Sequence, residues 1–382
     1  MAEKHTIEDI ARLAGVSKAT VSRVLNNKPD VDPATRARIL RIVEEVSFVP
    51  SITASGLAGG RSRLIGVLIP SFTWPFIPDV LRGVADVLST TPYELVLYSI
   101  KDSTRTPETA AREKETSSVV NNILATNLTA GILAIFPGFL SHYVTRLYKK
   151  GVPLVLVDDQ TPPTSVPWVG ANNYHGAYMA VRHLLSLGHR RIAHIQGPMG
   201  LLCSHERYQG YLDALQAEGI TPDPQLAIEG NFSTSGGHVA ARQLLALPEE
   251  VRPTAIFAAS DQTAYGVFAA AEEFGLHIPK DVALVGFDDI SASAHLRPAL
   301  TTVRQPFYEM GQYSIELLLS MLNTNSNANS ASPLQSSGWS SKLAATPFAR
   351  EMNENDPIRI QLPTSLVVRA SCGSTQNLSI PR

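Results

Sequence analysis

Apolar residues near the start of the chain recur at helical spacing. Ile7, Ile10, Ala11 and Ala14 fall at i, i+3, i+4 and i+7 and lay an apolar stripe along one face of a first helix. Thr6 stands where it can cap that helix, with Asp9 three residues on in a weak capping-box arrangement. Gly15 sits where the chain must turn, and Ser17 can cap the helix that follows. Val21, Val24 and Leu25 supply the buried side of this second helix, leaving Lys18, Ala19, Ser22 and Arg23 for its exposed side. Asp32 and Pro33 take the N-cap and N1 positions of a third helix, whose Ile39, Leu40, Val43 and Val46 are expected to close a three-helix core. Two short helices joined by a tight turn have the sequence form of a helix-turn-helix, which places its second helix in the DNA major groove. A purely structural helical hairpin is the alternative; the turn chemistry and the exposed basic residues favour groove docking.

Beyond Arg63 the period changes. Leu64–Ile69, Glu94–Tyr98, Gly131–Ile135, Pro153–Val157, Arg191–Ile195, Ala255–Ala258 and Val282–Gly286 read as apolar strands. Helical patterns over Pro78–Leu88, Tyr174–Leu187, Ser204–Ala217, Gly236–Leu247 and Thr263–Phe274 lie between them. Strands alternating with helices predict parallel sheets with right-handed crossovers. Residues 323–357 break the pattern: this Ser-, Asn-, Pro- and Ala-rich stretch reads as a flexible surface insertion, and 373–382 as a short polar tail without heptads.

At 382 residues the chain is long enough for two or three folding units. Residues 1–63 carry ten Lys/Arg against seven Asp/Glu, net +3, whereas the whole chain is −2, which leaves −5 on the remainder. Basic charge is thus offset towards the end that would meet phosphates. Two cysteines, Cys203 and Cys372, suggest a reducing compartment and no disulfide framework. The start lacks an apolar leader core and no run is long enough to span a bilayer, so a cytoplasmic protein without membrane contact is expected. There is no Gly-x-Gly-x-x-Gly after a strand, no P-loop, no Gly-x-Ser-x-Gly and no His-Glu-x-x-His, so no catalytic residue, metal ligand or cofactor is assigned. A solute-binding protein for uptake is the stronger rival for the α/β part, and it sits badly with the missing leader and the attached helix-turn-helix.

Several segments together resemble the lactose-repressor (LacI/GalR) family of bacterial transcription regulators: Ile10-Ala-Arg-Leu-Ala-Gly-Val-Ser17, Gly60-Arg-Ser-Arg-Leu-Ile-Gly-Val67, Leu187-Gly-His-Arg-Arg-Ile-Ala193, Ser204-His-Glu-Arg-Tyr-Gln-Gly-Tyr-Leu-Asp-Ala-Leu215, Val285-Gly-Phe-Asp-Asp289 and Leu362-Pro-Thr-Ser-Leu-Val-Val-Arg369. The resemblance spans nearly the whole chain. It implies a small all-α helix-turn-helix DNA-binding domain (1–50), a hinge helix and linker (51–63), and an α/β periplasmic-binding-protein-like core of two Rossmann-like subdomains (64–372). The first subdomain would hold about 64–169 plus 305–322, and the second about 170–304 plus 358–372, joined by three crossovers. Asn172 stands where the family carries Asp ahead of Asn-x-x-Gly-Ala, so an amide replaces a carboxylate there.

By family position Lys18 and Ala19 are the specificity pair, Arg23 is a further base or phosphate contact, and Thr20, Ser22 and Asn26 are phosphate contacts. Lys18 could equally hold a phosphate, and Ala19 can only touch a thymine methyl. Thr6, Ser17, Ser51 and Ala54 complete the DNA-facing set. Leu57 would wedge into the minor groove at the operator centre, an apolar side chain that offsets unstacking while bent DNA wraps more protein; packing in the linker is the alternative. The resemblance also implies an effector cleft between the subdomains, with Arg207, Phe232, Ser260 or Asp261, Asp288 and Gln305 on one side. Phe72, Trp74, Phe76, Asp158 and Asp159 would come from the first subdomain. Several carboxylates, one Arg and aromatic faces suit a polyhydroxyl ring. Asp288 could instead cap a helix or turn, and the aromatic trio could be core or dimer surface. The expectation is a homodimeric repressor on a near-palindromic double-stranded operator, controlled by a small molecule, with a sugar favoured and a purine co-repressor or amino-acid-like effector as alternatives.

Overall fold

Thr6 caps the first helix, α1 (Ile7–Ala14): its side chain accepts from the Asp9 N–H, and the Asp9 carboxylate accepts from the Thr6 N–H at 2.9 Å. This capping box and Arg12 hold the Asp9 carboxyl below the usual carboxylate value, the Thr6 backbone bond acting most strongly. Gly15 ends α1 at φ +63°, in the left-handed region where a side chain would be strained. Ser17 Oγ accepts from the Thr20 N–H at 3.1 Å and so starts α2 (Lys18–Leu25). Asp32 accepts from the Thr35 N–H at 2.9 Å and Pro33 opens α3 (Pro33–Glu45). Ile10, Ala11, Ala14, Val21, Val24 and Ile39 form the buried centre, with Ile42, Val43, Val46 and Phe48 packed against it. One expectation fails: Leu40 is 47% exposed. Ile39, Ile42, Val43 and Val46 share a face at i, i+3, i+4 and i+7, and Leu40, one residue off that series, points away from it.

The computed structural model describes residues 5–25, 28–48, 62–69, 71–99, 128–135, 141–158, 165–324 and 357–373. The chain divides into a helical unit ending at Arg63 and an α/β unit that begins at Leu64. The α/β unit contains two six-stranded sheets, one in each lobe. In chain order its elements are β1 (Leu64–Ile69), α4 (Ile77–Leu88), β2 (Glu94–Ser99), β3 (Gly131–Ile135), α5 (Ser141–Lys149), β4 (Leu154–Val157) and β5 (Trp168–Ala171). There follow α6 (Asn173–Ser186), β6 (Ile192–Gln196), α7 (Leu202–Ala217), β7 (Ala227–Glu229), α8 (Thr234–Leu245) and β8 (Ala255–Ala258). The last are α9 (Asp261–Glu273), β9 (Ala283–Asp288), β10 (Thr301–Arg304), α10 (Phe307–Thr324), β11 (Arg359–Leu362) and β12 (Ser365–Val367).

The first sheet runs β11-β5-β4-β3-β1-β2 and is parallel throughout. All six residues of β1 are buried, as a strand covered on both faces requires. The second sheet runs β12-β10-β9-β8-β6-β7, parallel except for β12 against β10. Strand alternation divides its two cores: Phe257, Val285 and Phe287 face α6 and α7, while Ile256, Ala258 and Leu284 face α8 and α9.

The chain passes between lobes three times: Ala171 to Asn173, Arg304 to Phe307 and Leu362 to Ser365. The last passage corrects the expected assignment of 358–372 to the second lobe. Arg359–Leu362 pairs in register with Trp168–Ala171 in the first sheet, and only the part from Ser365 joins the second. Pro363 and Thr364 lie between two strands that the sequence reads as one. β5 likewise carries the first sheet to Ala171, two residues beyond the expected limit.

Candidate DNA-reading helix and effector cleft

On α2 the side chains of Lys18, Ala19 and Arg23 are exposed, while Thr20 and Ser22 are half-buried. Lys18 Nζ pairs with Glu8 at 2.9 Å and Arg23 Nε with Asp30 at 3.6 Å, all four side chains being more than half exposed. Such pairs in high dielectric are weak and readily exchanged for phosphates or base edges. Thr6 and Ser17 are used internally, in the caps described above, and the Ser17 and Thr20 hydroxyls lie 2.9 Å apart. Asn26, Ser51, Ala54 and Leu57, and with them the expected hinge helix, lie outside the described residues, as do Asp159 and residues 325–356 of the expected insertion.

In the α/β unit three of the predicted residues, Phe232, Asp288 and Gln305, gather around a fourth, Arg207, on the buried side of α7 and 4% exposed. Its Nε donates to Asn173 Oδ1 at 3.0 Å and its Nη1 donates to the Ala259 carbonyl at 2.5 Å. The guanidinium carbon lies 3.8 Å from the Phe287 ring centre and 5.4 Å from that of Phe232, cation–π geometry in a desolvated setting. Asp288 Oδ1 is 3.9 Å from Nη1 and accepts from Gln305 Nε2 at 2.7 Å. Nη2 of Arg207 takes no partner among the described residues, and the buried Gln305 Oε1 is likewise unpartnered. An unmet buried acceptor is costly unless water or a ligand satisfies it.

Two adjacent carboxylates in Val285-Gly-Phe-Asp-Asp289 have different tasks. Asp288 reaches the Arg207 cluster. Asp289 accepts from Arg304 Nε and from Arg369 Nη2, each at 2.6 Å, and anchors the turn. Both have positive φ, +115° at Asp288 and +57° at Asp289, as does Phe232 at +59°. Non-glycine residues hold such conformations only where the surroundings fix them. Phe232 lies against the Gly197 backbone: a Cβ there would come within 2.1 Å of its ring. Burial pushes the Asp288 carboxyl up to about 6, with Arg207 and Gln305 acting against that rise.

Ser260 and Asp261 part company with the expectation. Ser260 Oγ caps α9, accepting from the Thr263 N–H at 3.1 Å, and stands 3.4 Å from the Phe232 carbonyl at the cluster's edge. Asp261 is fully buried, and its oxygens accept from the Ile290 N–H, Ser293 Oγ and Thr302 Oγ1 at 3.0, 2.6 and 2.5 Å. Its carboxyl is pushed up by burial and then by Asp288. These bonds tie the turn that follows β9 to β10. From the first lobe, Phe72 is 58% exposed. Trp74 and Phe76 pack against the first-lobe core, Phe76 stacked 4.8 Å from Phe307. Asp158 is buried at the end of β4 with φ +73°. Among the described residues no hydrogen bond, ion pair or ring contact joins Phe72 or Phe76 to the Arg207 cluster. Sequence reasoning missed Asn173, Phe287 and Ser204; the Ser204 hydroxyl is buried without a partner one helical turn before Arg207. An i, i+3 relation to Arg207 was the one available signal for Ser204. Asn172, in place of Asp, caps α6 by accepting from the His175 N–H at 3.0 Å, a task either side chain performs. No cluster suited to a metal ion occurs among the described residues.

A family model described as bacterial regulatory proteins, lacI family, matches residues 6–51, and one described as periplasmic binding protein-like domain matches 181–336. Catabolite control protein A of Priestia megaterium is 33% identical over 319 residues, covering 83% of this chain and 92% of that protein. The Lac repressor dimer bound to operator and the anti-inducer ONPF superposes with a TM-score of 0.77 at 27% identity, covering 97% of this chain and 99% of that one. The transcriptional regulator CelR in complex with cellobiose gives 0.64 at 29% identity, covering 96% and 99%.

Proposed function

The chain belongs to the lacI family of bacterial regulatory proteins, and from that premise we propose how it works as a DNA-binding transcriptional repressor. Two copies bind a near-palindromic operator, each presenting the exposed face of α2 to a major groove. Lys18 and Arg23 supply the donors and Ala19 an apolar contact; Leu57 enters the minor groove at the centre. A saccharide held at the Arg207 cluster sets operator affinity by favouring one arrangement of the lobes.

The observation that carries the effector reading is the unmet hydrogen-bonding capacity at one place: Arg207 Nη2, Gln305 Oε1 and the raised Asp288 carboxyl, beside the Phe232 ring. Adjacent hydroxyls can accept from the guanidinium and donate to the two oxygens, while the ring covers the C–H face. The cellobiose complex of CelR supports a saccharide over a purine. A thermal-shift series over mono- and disaccharides, nucleosides and purine bases tests this. A ligand at a hundred times its Kd adds about 2.7 kcal/mol of stability. The expected result is a shift with one saccharide class that Arg207→Ala and Asp288→Ala abolish; a shift with purines alone would overturn the saccharide reading.

A further inference from the structure

We propose that Asn173 is the positioning residue for the Arg207 guanidinium, and that through it the effector contact is tied to the first passage between the lobes. The proposal rests on Arg207 being the effector contact. Asn173 is 4% exposed and opens α6, two residues after β5 ends. Its Oδ1 accepts from Arg207 Nε at 3.0 Å, while its Nδ2 donates to Glu206 Oε2 at 3.2 Å and to the Ala171 carbonyl at 3.4 Å. Both ends of the amide are therefore used, and turning it over would set NH2 against the Arg207 N–H. With Nε held by Asn173, Nη1 by the Ala259 carbonyl and Cζ over the Phe287 ring, the guanidinium has one rotational setting, the one that leaves Nη2 open.

The other two passages converge on the same group. Gln305, between β10 and α10, reaches it through Asp288. Thr364, between β11 and β12, donates to the Asn172 carbonyl at 3.3 Å, one residue from Asn173. Gly176 in the first turn of α6 packs so closely on Thr364, Val303 and Phe287 that a Cβ would come within 2.8–3.0 Å of each. A rotation of the lobes about these passages displaces Asn173, and a ligand drawing on Nη2 loads Asn173 in return. Arg207 in this arrangement both senses the ligand and is part of the hinge.

The test begins without ligand, on the full chain, by measuring solvent exchange of the arginine Nε–H groups by 15N NMR. The Arg207 Nε–H is expected to be protected in the wild type and in Asn173→Asp, which keeps the acceptor, and to exchange at least tenfold faster in Asn173→Ala. Unchanged exchange in Asn173→Ala would overturn the proposal. Calorimetry with D-ribose and with cellobiose forms the second arm. Asn173→Ala is expected to weaken the binding sugar about tenfold, and to have no further effect in an Arg207→Lys background, which lacks the Nε–H. Additive losses in that double variant would indicate a merely structural residue and overturn the proposal. Failure of both sugars to bind the wild type, with the exchange result intact, would contradict the saccharide reading and still support the positioning role.

Discussion

Burial raises the Asp288 carboxyl from 3.8 to about 6 even though Arg207 and Gln305 favour its charged form. Because the folded value is the higher one, the stability Asp288 contributes is complete below about pH 4 and is lost as pH rises through 6. With Asp288 accepting from the effector's hydroxyls as proposed, binding follows the charged form: effector affinity is predicted to fall severalfold from pH 7.5 to 5 by calorimetry, and Asp288→Asn to flatten that dependence. His194 has the opposite sign. It is fully buried, stacked 4.6 Å from Phe257, with Nδ1 donating to the Phe257 carbonyl at 2.9 Å, and burial lowers it from 6.5 to about 4. Its stability contribution is present above pH 6.5 and is lost as pH falls through 4. At about 1.4 kcal/mol per pH unit this amounts to about 3 kcal/mol by pH 4. Urea unfolding should show that loss in the wild type and not in His194→Phe. At this scale the grouping of Arg207, Asp288 and Gln305 was legible through the family resemblance, the first two lying in quoted motifs and Gln305 at a crossover. Asn173 was not, since its contact with Arg207 crosses 34 residues of sequence. The internal bonds of Asp261 were not legible either, because an acidic residue at a helix start looks the same whether it faces a cleft or a buried strand.

Three helix pairs meet at glycines. A Cβ on Gly83 of α4 would lie 2.0 Å from the Tyr308 carbonyl oxygen of α10, and one on Gly311 of α10 would lie 2.1 Å from that of Val80. In the second lobe, α8 and α9 meet through Gly237 and Gly266 at 2.2 and 2.3 Å, and α6 and α7 through Gly210 at 2.4 Å. Backbone atoms cannot give way as side chains do, so Gly83→Ala is expected to cost about 2–3 kcal/mol in chemical denaturation. Gly219→Ala meets nothing within 4 Å but sits at φ +69°, and should cost about 1–2 kcal/mol from backbone strain alone. Equal costs would contradict the close-packing account. Elements with strong apolar runs, such as Leu64–Ile69 and Ala255–Ala258, were legible to the residue. β10, with Thr301, Thr302 and Arg304 in four residues, was not: the hydroxyls of its two buried threonines donate to the buried Cys372 Sγ and Asp261, partners distant in sequence.

Across the molecule, the change from helical to alternating strand–helix pattern near Arg63 marks the boundary between the two units, and the strand pattern alone predicts parallel sheets. That the sheets are two and that the chain passes between them three times came from the family resemblance, because no local pattern records which sheet a strand joins. The split of Leu362-Pro-Thr-Ser365 between sheets shows the limit of that reading. The function asks the second unit to control the first, and such couplings amount to about 1–3 kcal/mol, a five- to 150-fold change in affinity. The most direct test is the Kd of the purified full chain for a duplex obtained by in vitro selection, measured by fluorescence anisotropy with and without the saccharide that shifts its melting. A near-palindromic duplex whose Kd changes at least fivefold with the sugar, and not at all in Arg207→Ala, is the predicted result. A Kd indifferent to a sugar that demonstrably binds would contradict the account.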